Sequence, residues 1–167
     1  ELNHKYNIHL LKGIKLCPEA ITSNCIYTIS CIDGVNGDKL SPKWLKDRIE
    51  KSGIKSINLL VDVTNYILLE QGQPLHAFDK LKLSNLIGKE VSPEDFSVRK
   101  GKDNESLVCL DGKKYELNEN ITVVTCCDKP VAIAGVIGGL ETSVSNTTSS
   151  IYLEGAVFNP VTIRKSS

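Results

Sequence analysis

The chain has 167 residues, of which 41% are hydrophobic and 24% charged, and its 20 basic residues balance its 20 acidic ones. This composition is typical of a globular protein with one hydrophobic core, and the zero net charge argues against a domain that binds nucleic acid tightly by itself. No apolar run is long enough to cross a bilayer and the polar start is not a signal peptide, so we expect a cytoplasmic protein without membrane contact.

The chain begins with an irregular stretch, residues 1–24, which we interpret as a lead-in from a preceding domain. A strand is predicted at 26–35, where apolar residues alternate loosely. A helix follows, with Ser41 as its N-cap, Pro42 at its first position and Gly53 at its end. Because the chain contains no methionine, we expect either a fragment of a longer protein or a processed chain.

A second helix is predicted at about 57–70, and it is so apolar that we expect it to be buried. Gly72 suits the left-handed residue past its end, and Pro74 prevents the helix from resuming. The polar residues of the helix form one narrow stripe of Asn58, Asp62 and Asn65. This stripe is interpreted either as the wall of a cleft or as the one solvated face of a packed helix.

The rest of the chain has the pattern of β structure. Strands are predicted at 96–99, 107–110, 113–117, 121–126, 131–134 and 151–156. Asp111-Gly112 is a strong two-residue hairpin signal, and the β-branched run 121–126 is predicted to be a central strand. Two helices followed by about six strands predict an α+β domain, with helices packed on a mostly antiparallel or mixed sheet and a cleft between sheet and helix.

Two titratable residues stand out against apolar neighbours. His76 follows the second helix, and a lone histidine in such a setting is either a satisfied packing residue or a functional one. Glu154 lies in the last strand, on the same predicted face as Tyr152 and Ala156. A carboxylate there is costly to bury without partners, so Glu154 lies either on an exposed sheet face or in a site.

Several familiar catalytic and cofactor patterns are missing from the sequence. The glycine-rich segment 134–139 lacks the Lys-Ser/Thr ending of a phosphate loop, and its glycines indicate either a tight turn or a close backbone approach to a ligand. The six cysteines form no CxxC pair, so we expect free thiols rather than a metal site. Without a GxSxG motif or an activated cysteine, any hydrolysis should use water directly.

Several segments, in order, resemble one family. They are VDVTNYILLEQGQPLHAFD, the LDG turn at Leu110 to Gly112, PVAIAGVIGG and IYLEGAVFNPVTIRKSS, preceded by SPKWLKDRIEKSGIKS. They resemble the bacterial phenylalanyl-tRNA synthetase beta subunit, within the module that edits mischarged tRNA. The resemblance covers about residues 25–167, which we predict to form one editing domain. The family continues past residue 167 with small residues of the pocket, so we expect this domain to be truncated at its C-terminus.

The resemblance implies roles for particular residues. The implied catalytic residues are His76, Thr64 and Asn65. Thr64 and Asn65 would face the cleft and hold substrate or water. The implied substrate-binding residues are Glu154, Gly135, Ala134 and Pro74. Among these, Glu154 would recognise the hydroxyl of a misattached tyrosine, and the backbone of Gly135 would line the amino-acid pocket. No metal and no cofactor are expected in this domain, although the whole enzyme is implied to use ATP and magnesium.

We therefore predict an editing domain that hydrolyses tyrosine misattached to the tRNA for phenylalanine. A pocket shaped for phenylalanine rejects tyrosine by only about a hundredfold, whereas a site that binds the hydroxyl discriminates by roughly ten-thousandfold or more. The implied partners are this tRNA and the alpha subunit of an alpha2-beta2 synthetase. The alternative is a structural or RNA-contacting module of the same subunit without editing activity.

Overall fold

The computed structural model of the chain describes residues 8–9 and 26–157. It contains three helices, α1 (Lys43–Lys51), α2 (Leu59–Gln71) and α3 (Lys80–Ile87), in this described part. The strands are β1 (Ile8–His9), β2 (Ile26–Asp33), β3 (Leu75–Asp79), β4 (Phe96–Lys100), β5 (Ser106–Val108), β6 (Lys114–Glu116), β7 (Thr122–Cys126), β8 (Lys129–Ile133), β9 (Ile137–Gly138) and β10 (Ser150–Val157). The predicted α+β class is confirmed.

Two four-stranded sheets form the centre of the domain. The first has the order β1-β2-β10-β3 and the second the order β4-β7-β8-β9. All the strand pairs are antiparallel. The run predicted as a central strand is β7, which lies inside the second sheet and is buried along its whole length.

The two sheets share one hydrophobic core. Phe96 of β4 packs against Phe78 of β3 and Tyr152 of β10, with ring centroids 5.7 and 5.3 Å apart. The Tyr152 hydroxyl donates to the Val91 carbonyl and so satisfies its polar atom inside this core. The rings of Phe78, Phe96 and Tyr152 therefore connect the two sheets through direct packing.

The expectation that α2 is buried is wrong. Leu68 and Leu69 are 40% and 45% exposed, whereas the fully buried side chain of this helix is that of Asp62. Its carboxylate accepts from the hydroxyls of Ser41 and Ser56, each at 2.5 Å, and from the Ile57 amide at 2.9 Å. A carboxylate with three donors can be buried, because each donor replaces a hydrogen bond to water that is lost on burial.

The polar stripe therefore faces inward and supports the start of the helix. Asn58 is the N-cap of α2, and its side chain accepts from the Val61 amide at 3.0 Å. At the other end, Gly72 has the predicted left-handed conformation with φ 69°. The cleft wall expected at Asn58 and Asp62 is absent, since both side chains are occupied by these structural contacts.

The start of α1 also differs from the sequence-based expectation. The N-cap is Pro42, without a side-chain cap, because the hydroxyl of Ser41 donates to Asp62 instead. This bond joins the beginning of α1 to the beginning of α2. The Ser41 side chain therefore connects two helices and does not cap the backbone of α1.

Strand β3, helix α3 and the short strand β9 were not predicted, and one turn is longer than predicted. Helix α3 is capped by the side chain of Asp79 and ended by Gly88 at φ 81°. The Asp111-Gly112 turn does join two paired strands, β5 and β6, but the Cys109 amide bonds the Lys113 carbonyl, which leaves a three-residue loop.

Several other expectations concern composition and boundaries. The four cysteines in the described residues are free, as predicted, and three of them are buried. Cys17 and Cys25 lie outside the described residues, as does the lead-in 1–24 except for β1. The limits of the predicted editing domain stay a prediction. Within the described part, no helix is both long and apolar enough to span a membrane.

Candidate functional site

A cleft of about 470 Å³ is lined by residues of both sheets. Its size falls in the range of small-molecule sites in proteins, roughly 300–1,000 Å³. Its described lining residues are Leu68, Pro74, Leu75, His76, Leu110, Ala132, Ile133, Gly135, Val136, Ile137, Gly138, Glu154 and Ala156. Most of these are apolar or glycine, and His76 and Glu154 are the two titratable groups among them. Helix α2 borders the cleft through Leu68 alone among these residues, so the two sheets form most of the wall.

His76 is held on β3, the edge strand of the first sheet. Its ring packs edge-on against Phe78, with centroids 4.5 Å apart and planes at 79°. On the other side lies Gly138, where a Cβ atom would come within 2.2 Å of the imidazole Cε1. The ring is therefore confined between an aromatic side chain and a bare backbone, and its Nε2 has no hydrogen-bond partner among the described residues.

Glu154 is the central polar residue of β10, and it is buried, with 7% of its surface exposed. Its neighbours on the same face, Tyr152 and Ala156, are buried as the strand alternation predicts. The carboxyl oxygen Oε2 has no hydrogen-bond partner within the described part of the chain. A buried, unsatisfied carboxyl oxygen is uncommon in folded proteins.

His76 and Glu154 are direct cross-strand partners in the β3–β10 ladder. Side chains of such partners emerge on the same face of the sheet, about 4.5–5.5 Å apart at Cβ. Burial lowers the pKa of His76 to about 4. Burial raises the pKa of Glu154 to about 8, an effect that the Tyr27 hydroxyl partly offsets. At neutral pH the cleft therefore presents a neutral imidazole and a protonated carboxyl rather than an ion pair.

The family whose description is "B3/4 domain" matches residues 23–167 of the sequence. The chain belongs to the B3/4 domain family.

The B3/4 domain has relatives described as "Phenylalanine--tRNA ligase beta subunit". One from Prochlorococcus marinus (strain MIT 9312) is 95% identical over 167 residues, covering 100% of this chain and 20% of the relative. Another, from Prochlorococcus marinus subsp. pastoris, is 73% identical over 166 residues, covering 99% of the chain and 20% of the relative. One from Synechococcus sp. (strain CC9605) is 50% identical over 143 residues, covering 86% and 18%. The chain thus spans about a fifth of their length. The resemblance to this subunit is confirmed, whereas the assignment to editing stays a prediction.

Four of the seven predicted site residues of the B3/4 domain line the cleft. They are His76, Glu154, Gly135 and Pro74. Gly135 has a left-handed backbone with φ 68° and turns β8 into β9, so that its backbone borders the opening. Pro74 is tied to β10 through Gln73, whose amide donates to the Pro74 carbonyl at 3.0 Å and to the Ala156 carbonyl at 3.2 Å.

The other three predicted residues are not among those that line the cleft. The Thr64 hydroxyl donates to the Val61 carbonyl at 2.7 Å, within its own helix. Asn65 is partly buried on the same helix. Ala134 belongs to the shared core between the sheets, next to two lining residues. The roles expected for these three residues stay predictions.

Sequence reasoning missed part of the cleft. Leu68, Leu110 and Val136 are apolar and are 40%, 47% and 42% exposed at its border. The glycines of segment 134–139 predicted either a tight turn or a close backbone approach to a ligand. The group nearest to a Cβ atom added at Gly138 is the His76 ring. Within the described residues no cluster of three or more His, Cys, Asp or Glu side chains could hold a metal ion.

Proposed function

We propose that this B3/4 domain is the editing module of a phenylalanine–tRNA ligase beta subunit, and that it hydrolyses tyrosine from the tRNA for phenylalanine. The observation that carries the proposal is the pairing of His76 with Glu154 in an otherwise apolar cleft, each with a polar atom that has no hydrogen-bond partner among the described residues. Free polar atoms in such a cleft are suited to bind a ligand that has an aromatic ring and polar ends.

The substrate has two features that these residues can address. The phenolic hydroxyl distinguishes tyrosine from phenylalanine, and a protonated Glu154 carboxyl can both donate to it and accept from it. The apolar lining suits the ring. Phenylalanine in the same place would leave the buried carboxyl without a partner, which disfavours its binding.

The ester bond requires a water molecule and a group that orients it or accepts its proton. Because the pKa of His76 is lowered to about 4, the imidazole is neutral at pH 7 and can orient the water, whereas so low a pKa makes it a weak acceptor of the proton. Its ring is already fixed by Phe78 and by the close approach of Gly138. A fixed group loses little freedom on binding, which favours productive geometry.

The partners follow from the same proposal. The chain is neutral overall, so the tRNA for phenylalanine would be held mainly by other parts of the synthetase, including an alpha subunit in an alpha2-beta2 assembly. ATP and magnesium would serve the whole enzyme rather than this domain. A cytoplasmic location accords with these partners.

The test uses the full-length beta subunit assembled with its alpha subunit. We would measure the hydrolysis of tyrosyl- and phenylalanyl-tRNA by wild type and by His76→Ala/Glu154→Ala, with phenylalanine attachment as the control for folding. The proposal requires the wild type to hydrolyse the tyrosyl ester faster, and the double variant to lose this activity while it still attaches phenylalanine. Equal hydrolysis by both proteins would instead support a structural or RNA-contacting module.

A further inference from the structure

Tyr27 lies behind the cleft, next to Glu154. In the β2–β10 ladder Tyr27 pairs with Ala156, and Ile29 pairs with Glu154. Tyr27 is therefore the diagonal neighbour of Glu154 on the same face of the sheet, at a spacing that aromatic and long side chains bridge. It is 5% exposed and is not among the residues that line the cleft, so it can reach a ligand only through another residue.

The Tyr27 hydroxyl and the Glu154 carboxyl are both buried on one face of the sheet, on residues that are diagonal neighbours in the β2–β10 ladder. Burial raises the pKa of Glu154, and the Tyr27 hydroxyl works in the opposite direction. The hydroxyl thus favours the ionised carboxyl, whose Oε2 is left without a partner in the described residues. A glutamate side chain that is held on one side has fewer rotamers to lose when a ligand binds on the other.

We propose that Tyr27 is a positioning residue for Glu154, which holds the carboxyl so that it is presented to the phenolic hydroxyl of the substrate. This inference rests on the proposed editing function and adds a residue to it. Tyr27 should affect the recognition of tyrosine and not the hydrolysis of the ester itself. Loss of its hydroxyl should lower the preference for tyrosine about three- to tenfold, the effect of one hydrogen bond.

The chain offers a matched control for this substitution. Tyr152 is a second buried tyrosine on the same face of the sheet, and its hydroxyl donates to the Val91 carbonyl in the core instead of interacting with Glu154. Tyr27→Phe and Tyr152→Phe each remove one buried hydroxyl from this sheet. Only the first removes a contact of the carboxyl, so a general loss of packing would affect both variants alike.

The experiment compares both variants with wild type in the full-length beta subunit assembled with its alpha subunit. We would measure kcat and KM for the hydrolysis of tyrosyl- and phenylalanyl-tRNA between pH 6 and 9. Tyr27→Phe should lower kcat/KM for the tyrosyl ester alone. It should also move the alkaline inflection assigned to Glu154 to higher pH, because the hydroxyl no longer favours the carboxylate. His76, which faces Glu154 from β3, remains in place in both variants.

The ratio of the two hydrolysis rates decides whether Tyr27 positions Glu154. An unchanged ratio of the two rates in Tyr27→Phe, or an equal fall for both esters, would overturn the positioning role. Repeating Tyr27→Phe in a Glu154→Ala background should have no further effect, whereas loss of phenylalanine attachment in both backgrounds would show that Tyr27 is purely structural. Failure of the wild type to hydrolyse the tyrosyl ester would instead overturn the proposed function.

Discussion

His76 and Glu154 face each other across two antiparallel strands, and burial displaces their pKa values in opposite directions. A carboxylate and an imidazolium so placed would normally attract each other and ionise together. Here neither is charged at neutral pH, because the desolvation of each group exceeds the stabilisation that its described surroundings provide. The cleft therefore combines two neutral groups, each of which can gain a hydrogen bond from a ligand.

The first consequence is that the free energy of unfolding depends on pH. The folded pKa of Glu154 is raised from 4.5 to about 8, so its contribution is fully present below pH 4.5 and is lost as the pH rises to 8. The folded pKa of His76 is lowered from 6.5 to about 4, so its contribution is present above pH 6.5 and is lost as the pH falls to 4. Between pH 4.5 and 6.5 the two slopes cancel.

We therefore expect a plateau in the free energy of unfolding between about pH 4.5 and 6.5, with a fall on the alkaline side. One pKa unit corresponds to about 1.4 kcal/mol, so the fall from the end of the plateau to pH 8 amounts to about 2 kcal/mol. Urea unfolding of this chain from pH 4 to 9 would measure it. Glu154→Gln should abolish the alkaline fall, and an identical fall in that variant would assign it to another group.

The second expectation concerns His76→Ala in the assembled synthetase. Loss of a general base or of a group that orients the water typically costs about a hundredfold or more in rate. Hydrolysis of tyrosyl-tRNA should slow by this factor, whereas phenylalanine activation should stay unchanged. Single-turnover deacylation measures the first and pyrophosphate exchange the second. If deacylation is unaffected, His76 serves only to pack against Phe78.

The third expectation separates two ways in which Glu154 could recognise the hydroxyl. Because its pKa lies near 8, the carboxyl is protonated at pH 7, and glutamine also provides one donor and one acceptor. Glu154→Gln should keep much of the preference for tyrosine at pH 7, whereas Glu154→Ala should lower it by roughly ten- to a hundredfold. Hydrolysis rates of the two aminoacyl-tRNAs give the preference directly. Equal losses in both variants would indicate recognition by the ionised carboxylate.

The sequence predicted the face of β10 that carries Glu154 because alternation along a strand depends on local spacing alone. It could not place Glu154 beside His76, since these residues are 78 positions apart and only the strand register brings them together. The short strand β3 has too few residues to show a clear alternation of apolar and polar side chains. Helix α3 carried usable signals in its Asp79 cap, in Gly88 and in its apolar residues, which make up half of the helix, and these signals were overlooked.

The burial of α2 was predicted wrongly for a related reason. Hydrophobic content indicates burial only on average. It cannot show that hydroxyls from other parts of the sequence donate hydrogen bonds to a buried carboxylate. Ser41 lies 21 residues before Asp62, and its hydroxyl is one of three donors that make the burial of this carboxylate possible. The apolar residues of the helix are left partly exposed, with Leu68 at the cleft.

A fourth expectation follows from the charge of the chain. With equal numbers of basic and acidic residues, the 167-residue chain by itself should bind tRNA no more tightly than non-specific complexes do, with Kd about 10⁻⁴–10⁻⁶ M. Fluorescence anisotropy with labelled tRNA at several salt concentrations would measure this. A much lower Kd with a steep salt dependence would reveal a basic surface that net charge does not show.

The last expectation concerns Asp62, which joins the starts of α1 and α2. Asp62→Ala would remove the fully buried acceptor of the hydroxyls of Ser41 and Ser56 and of the Ile57 amide. An unsatisfied buried donor costs about 1–3 kcal/mol, and partial rearrangement of the serines should bring the total to about 3 kcal/mol. Asp62→Asn should cost less, since one oxygen remains to accept. Urea unfolding compares these variants with Asp38→Ala, an exposed control. If Asp62→Ala is as stable as that control, the three bonds contribute nothing to the joining of the two helices.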